Sequence, residues 1–247
     1  MKRAVLLTGA KRIGYEIAKS LLQEGYNLSI VYRKPFKGMS DLKLFALKSG
    51  SKILFLKADL ENPSYWESIV EKTFRKFNRI DAFLHLASPY RETPIKSLKL
   101  SDLKEHITPT AESFFFLSLY SFKKMLLNKG YVKGRIIAFG DWAVDHTPYR
   151  NFSAYFLSKG SLHSAVKILA KEFAPEVLVN CIALGPTLKA ENLSEEEWNR
   201  ILLNTPLRRE VAIRDIVSLT LFLLKAESIT GEIIKLDGGR HLSGSGT

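Results

Sequence analysis

The sequence predicts an α/β fold, a single domain built on a doubly wound parallel sheet of about seven strands flanked by helices. Three observations predict it. Apolar runs of strand length alternate with helical patterns along the whole chain. Two of the runs, KILFLKA (52–58) and DAFLHLA (81–87), are apolar nearly throughout, as strands covered on both faces are. No repeat, linker or low-complexity segment interrupts the 247 residues before SGSGT (243–247), which reads as a flexible tail. The expected domain is 1–242.

The elements follow in order. A strand at 4–8 (AVLLT) runs into the glycine turn of TGAKRIG and a helix over 12–24. A strand at 28–32 precedes a helix at 40–48, and a strand at 52–57 precedes one at 64–77. The strand at 80–86 leads to helices at 99–107 and 110–128. A strand at 135–139 is followed by a long helix at 152–173, and a strand at 177–183 by a short helix near 194–204 and another at 213–225. The last strand is 232–236. Right-handed crossovers of this kind place ligands at the carboxyl ends of the strands, near the switch in strand order.

Composition narrows the function. The lone cysteine, Cys181, excludes an intrachain disulfide and a multi-cysteine metal site, and the expected compartment is a reducing cytoplasm. The apolar stretch after Met-Lys-Arg is too short for a secretory signal. FFFLSLY (114–120) is far below the roughly 20 residues that span a bilayer, so no membrane partner is expected. The net charge of +12 is scattered over most segments, which fits a solvated basic surface or an anionic ligand better than a nucleic-acid arm. The five histidines have no metal-like spacing, and no metal site is expected.

Three motifs carry chemistry. In the opening loop Gly9 permits a tight turn and Gly14 lets the helix pack on the strand, so that free N–H groups of the helix start meet a diphosphate. At the end of the second strand, SIVYRKP, no acid stands between Glu24 and Asp41. A carboxylate is what a free ribose 2′-hydroxyl requires there. Arg33 and Lys34, with Lys11 and Arg12 opposite, point instead to a 2′-phosphate and hence to NADPH. In YFLSK, Tyr155 and Lys159 share a helix face, and an ammonium beside a phenol is expected to lower its pKa from about 10.

TGAKRIG, KADL (57–60), HLAS (85–88), YFLSK, VNCIALGP (179–186) and TGEIIKLDGG (230–239) stand in an order and spacing that resemble the short-chain dehydrogenase/reductase family, over essentially the whole chain. Within it the chain looks most like the pteridine reductases. Arg12 matches the arginine that these carry where relatives have the middle glycine, and Asp141 stands near the catalytic serine position, where they have aspartate. ASPYRETPI (87–95) matches their loop after the fourth strand, and DGGRHL (237–242) their ending.

The resemblance implies a Rossmann-like fold, NADPH as cofactor and hydride transfer to a small pteridine, with Tyr155 donating a proton and Lys159 and Asp141 as its partners. The implied cofactor contacts are Thr8, Gly9, Lys11, Arg12, Ile13, Gly14, Arg33, Lys34, Asp59 and Leu60 in the first half. Ala87, Tyr155, Lys159, Pro186 and Thr187 complete them, and Asn180 braces the site. Substrate contacts fall to Arg12, Ser88, Tyr90, Asp141 and Tyr155, with Tyr90 stacking on the pterin. The segment 185–207 reads as a lid, closed by Trp198 or Leu193. The helices 110–128 and 152–173 are apolar on more than one face, as buried helices are, and the resemblance implies that they pair in a homotetramer.

The sequence also departs from the family pattern. Asp141 to Tyr155 is one residue longer than usual, which leaves Trp142 and Asp145 as competitors for the serine position. Thr110 replaces a relay asparagine, and His85 opens the motif after the fourth strand. A carbonyl reductase, such as a 3-oxoacyl thioester reductase, and a non-catalytic NADP(H)-binding sensor stand as the alternatives.

Overall fold

The computed structural model describes residues 2–190 and 193–243. Seven strands form one sheet: β1 (Ala4–Thr8), β2 (Asn27–Tyr32), β3 (Ile53–Lys57), β4 (Ala82–His85), β5 (Gly134–Asp141), β6 (Val177–Leu184) and β7 (Ile233–Leu236). Their order is β3-β2-β1-β4-β5-β6-β7, and every neighbouring pair is parallel. Each parallel step needs a crossover, and α1 (Ile13–Gln23), α2 (Met39–Lys48), α3 (Trp66–Phe77), α4 (Leu100–Ile107), α5 (Ser113–Met125), α6 (Ser153–Phe173), α7 (Glu195–Leu203) and α8 (Ile213–Leu223) supply them.

The reason these strands are apolar without alternation is visible in the packing. Val5, Leu7, Leu84, Ile137 and Ile182 face one core with Ile17 and Leu21 of α1, Leu42 of α2 and Ile216 of α8. Their neighbours Leu6, Phe83, Ile136 and Cys181 face the other, with Ile69 of α3, Phe114 of α5 and Leu162 of α6. Both pleat faces are buried, so both sets of positions must be apolar. The chain winds from β1 outward through β2 and β3, then returns to place β4 on the other side of β1. The crevice of an open α/β sheet lies at that reversal.

The expected helices 99–107 and 110–128 are one continuous path. The chain passes from α4 through a π-helical turn, Thr108–Glu112, into α5. Pro109 has no N–H to donate to the regular ladder, and a widened turn accommodates it. The turn puts the buried Thr110 beside the loop after β4, where its hydroxyl donates to Ser88 Oγ at 3.2 Å. Among the described residues no helix is long and apolar enough to cross a membrane. The expected tail lies, from residue 244 on, outside the described residues.

Candidate active site

A cleft of about 580 Å³ opens at the carboxyl ends of β1, β4, β5 and β6. Its floor begins at the turn after β1. Gly9 holds φ +76°, and a Cβ there would come within 2.6 Å of the Ala87 N. A Cβ on Gly14 would collide with the Gly9 carbonyl oxygen, so the start of α1 presses directly on the turn. No side chain caps that helix start. Its N-cap position is Arg12, at φ 51° and ψ −112°. This left-handed backbone is where glycine is ordinarily favoured, and a non-glycine residue held there costs about 1–3 kcal/mol. In return the guanidinium reaches across the cleft mouth and donates to the Lys189 carbonyl at 3.0 Å.

The four cations of the sequence separate into two settings. Lys11, Arg33 and Lys34 line a smaller hollow of about 300 Å³ beside the cleft, together with Asp59, Leu60 and Ala87. Arg33 donates to Glu61 Oε1 at 2.9 Å and lies 3.9 Å from Asp59 Oδ2. Arg12 lines the main cleft, as does Ile13, and Lys11 and Ser88 reach both spaces. Thr8 lies beneath the turn, with its hydroxyl 3.0 Å from His85 Nδ1. Burial and the charge of Lys159 hold the His85 imidazole down to about 3, so it is neutral.

The centre of the cleft is Asp141, the last residue of β5. Its Oδ1 accepts from the Ala143 N–H at 2.8 Å, and its Oδ2 from the Tyr155 hydroxyl at 2.9 Å. β5 stays in register with β6 as far as Asp141 opposite Leu184, and the short 3-10 turn Trp142–Asp145 and the loop beyond it span the distance to α6. The competitors do not take its place: Trp142 also lines the cleft, against Tyr149, but carries no carboxylate. Trp142 is buried with Arg240 over its ring at 5.4 Å, and Asp145 lies 3.4 Å from the buried His163. Sequence reasoning missed Tyr149, whose hydroxyl donates to both Asp141 oxygens at 3.1 and 3.2 Å. Only the turn folding back over β5 brings it there.

On α6, Tyr155 and Lys159 do share a face, and both are buried. The expected direction of the tyrosine pKa is overturned. Lys159 Nζ donates to the Phe139 carbonyl at 2.7 Å, and burial pushes its ammonium down to about 8. Burial, and then the Asp141 carboxylate, hold the Tyr155 phenol well above its ordinary value. Burial likewise raises the Asp141 carboxyl, against the opposing pull of the Ala143 N–H and the Tyr155 hydroxyl. The phenol is thus a retained proton at neutral pH, not an incipient phenolate.

The walls are aromatic and apolar. Tyr90 stacks on Phe152 at 4.7 Å and meets the Tyr155 ring edge-on at 5.0 Å, while its other surroundings leave it 47% exposed. Pro186 and Thr187 form the far side after β6. Both lid candidates line the cleft, and Trp198 is the fixed one: it is buried in α7 and its indole N–H donates to Glu210 Oε1 at 2.8 Å. Asn180 sits within β6 and ties that strand to the segment before β7, donating to Ile229 O and accepting from the Glu232 N–H.

Comparison with known proteins supplies the family and agrees with the fold. The family model described as enoyl-(acyl carrier protein) reductase matches residues 9–241. A 3-oxoacyl-(acyl-carrier-protein) reductase, FabG, of Buchnera aphidicola is 28% identical over 98% of both chains. A dihydromonapterin reductase of Citrobacter koseri is 27% identical over 96% of both. Among solved structures, FolM alternative dihydrofolate reductase 1 from Brucella canis, complexed with NADP, superposes with a TM-score of 0.87 at 27% identity, covering 98% of this chain and 96% of that one. With a Rossmann-like parallel sheet, a glycine turn pressed against its first helix and a Tyr155–Lys159 pair at the strand ends, the chain belongs to the short-chain dehydrogenase/reductase family of oxidoreductases.

Proposed function

We propose that the protein reduces a pteridine at the expense of NADPH. The carrying observation is a buried carboxyl, Asp141, at the position where a proton donor and a flat aromatic wall meet: Tyr155 donates to it, and Tyr90 stands beside both. The cofactor fits the residues present. The Gly9–Gly14 turn and the uncapped start of α1 suit a diphosphate. Lys11, Arg33 and Lys34 suit a 2′-phosphate, with Asp59, Leu60 and Ala87 in the same hollow. Lys159, Pro186 and Thr187 line the cleft and would suit the reacting end. When bound, NADPH supplies a hydride to a carbon of the substrate C=N bond.

The chain's own residues do the rest. Hydride arrival leaves the adjacent nitrogen strongly basic. Tyr155 holds a proton at neutral pH and can therefore deliver it, although its phenol is a weak acid. Lys159 provides a positive charge below pH 8 that steadies the phenolate left behind. Asp141 offers acceptor oxygens to amino-pyrimidine N–H groups, which a serine could match only in part. Tyr90, Phe152 and Trp198 exclude water and match the flat heterocycle, since aromatic stacking contributes about 0.5–1.5 kcal/mol beyond area burial. Arg12, at the cleft mouth, and Ser88 meet its polar edge.

The likeness to the Buchnera enzyme supports a second reading, reduction of a 3-oxoacyl thioester, with Tyr155 protonating an alkoxide. Either chemistry predicts that Tyr155→Phe lowers turnover by roughly 10²–10⁴-fold. Unchanged turnover in that variant removes Tyr155 from the reaction. The substrate itself is decided by comparing a dihydropterin with an acetoacetyl thioester. The protein acts as a cytoplasmic homotetramer in this reading, with α5 and α6 presenting the exposed Phe116, Leu157 and Ile168. A monomer by sedimentation contradicts the assembly.

A further inference from the structure

Asp141 carries one more donor than the transfer just described uses. Tyr155 donates to Oδ2 at 2.9 Å, and Tyr149 to Oδ1 and Oδ2 at 3.1 and 3.2 Å, so one carboxylate joins two phenols. The two phenols differ in their surroundings. Tyr155 is buried and enclosed by Tyr90, Phe152 and Phe156. Tyr149 is partly exposed and lies in a loop whose neighbours, from His146 to Pro148 and Arg150, are exposed. On the opposite side Lys159 is buried and bonded to the Phe139 carbonyl. A line of hydrogen bonds thus runs from Tyr155 through Asp141 to Tyr149, a residue of this surface loop.

We propose that Tyr149 supplies the proton that restores Tyr155 after each turnover, acting as a positioning residue through Asp141. This rests on Tyr155 being the proton donor, and it holds for a pteridine or a carbonyl substrate alike. The protons balance. The Tyr155 O–H bond breaks as the substrate N–H, or O–H, bond forms. The Tyr149 proton passes to Asp141, the Asp141 proton passes to the Tyr155 phenolate, and water reprotonates Tyr149. Burial and the neighbouring carboxylate hold the Tyr149 phenol protonated at neutral pH, so the proton is in place to be given. Asp141 faces Tyr155 and Lys159 from α6, Tyr149 from the loop before it, and the Ala143 N–H from its own turn.

The test is Tyr149→Phe, which keeps the ring and its edge contacts with Phe152 and Phe156 and removes only the hydroxyl. Enzyme in excess over substrate measures a single turnover, for which Tyr155 already holds its proton. Substrate in excess measures repeated turnover. The expected result is an unchanged single turnover, a steady-state rate roughly 10²-fold lower, and a larger solvent deuterium isotope effect on the steady state alone. The substrate is whichever of a dihydropterin and an acetoacetyl thioester the wild type reduces. Equal slowing of both regimes means that Tyr149 only shapes the site, and no slowing means that protons arrive another way; either overturns the proposal. A substrate-free readout stands beside it: the Asp141 carboxyl carbon, followed by NMR, should titrate at higher pH in Tyr149→Phe, since a hydrogen bond to the carboxylate is lost. An unmoved titration overturns the coupling whatever the substrate proves to be.

Discussion

Replacing Asp141 by asparagine removes its charge while keeping its shape, and the contacts around it set the size of the effect. Asp141 accepts three donors, the Ala143 N–H and the Tyr149 and Tyr155 hydroxyls. A hydrogen bond to a charged acceptor contributes about 1.5–3 kcal/mol and a neutral one about 0.5–1.5, so weakening three of them costs about 4 kcal/mol. Against that, the carboxylate is almost wholly buried, and burying an ion costs several kcal/mol that the amide does not. The two effects offset to within about 2 kcal/mol, and the folded state survives. Chemistry does not survive equally. With the amide oxygen retained toward Ala143, its NH₂ faces Tyr155, whose hydroxyl must then accept and turn its proton away. Turnover should fall by roughly 10²-fold or more. The acid limb of the pH profile, which belongs to a carboxyl raised above its ordinary range by burial, should vanish with it. Thermal unfolding and NADPH-oxidation rates across pH measure both. A variant that melts like the wild type and turns over at the wild-type rate refutes the place given to Asp141.

Lys159, His85 and Gly14 each carry a further prediction. The alkaline limb of kcat/KM should have an apparent pKa of about 8 and belong to Lys159, whose ammonium burial has weakened; Lys159→Arg should carry it to higher pH, and a limb that stays put would assign it elsewhere. His85 binds its proton at about 3 in the folded protein against 6.5 ordinarily, so between those values the unfolded chain takes up a proton that the fold refuses. Its contribution to stability is intact above pH 6.5 and falls by about 5 kcal/mol as pH drops to 3; denaturant melts at pH 7 and pH 4.5 should show a shallower loss in His85→Gln, and equal losses would count against it. Gly14→Ala drives a Cβ against the Gly9 oxygen, which must move; NADPH binding followed by fluorescence should weaken by roughly 10²-fold, and an unaltered Kd would mean that the turn does not cradle the diphosphate.

Much of this molecule was legible in its sequence, for identifiable reasons. All seven strands fall where apolar runs stand, because both faces of a parallel sheet are covered and polar positions such as Ser29 and Asn180 interrupt the pattern only singly. Gly9, Gly14, Tyr155 and Lys159 were legible because a turn and a helix face are local geometry. What depends on the folded surroundings was not. The Tyr155–Lys159 spacing suggested a lowered phenol pKa, but the sequence does not show that Phe139 O takes the ammonium and Asp141 meets the hydroxyl. Tyr149 carries no period or motif; its role comes from a loop that doubles back on β5. The boundary expected at 108–109 is a π-helical turn, since Pro109 signals a break whether the chain ends a helix or widens it.

The most direct measurement is NADPH oxidation by the purified protein, with a dihydropterin and an acetoacetyl thioester as alternative acceptors and NADH as the cofactor control. The site built from Arg12, Tyr90, Asp141 and Tyr155 predicts rapid turnover of the dihydropterin with NADPH, little with NADH, and little of the thioester. Turnover of the thioester alone would contradict the pteridine assignment and make the protein a carbonyl reductase.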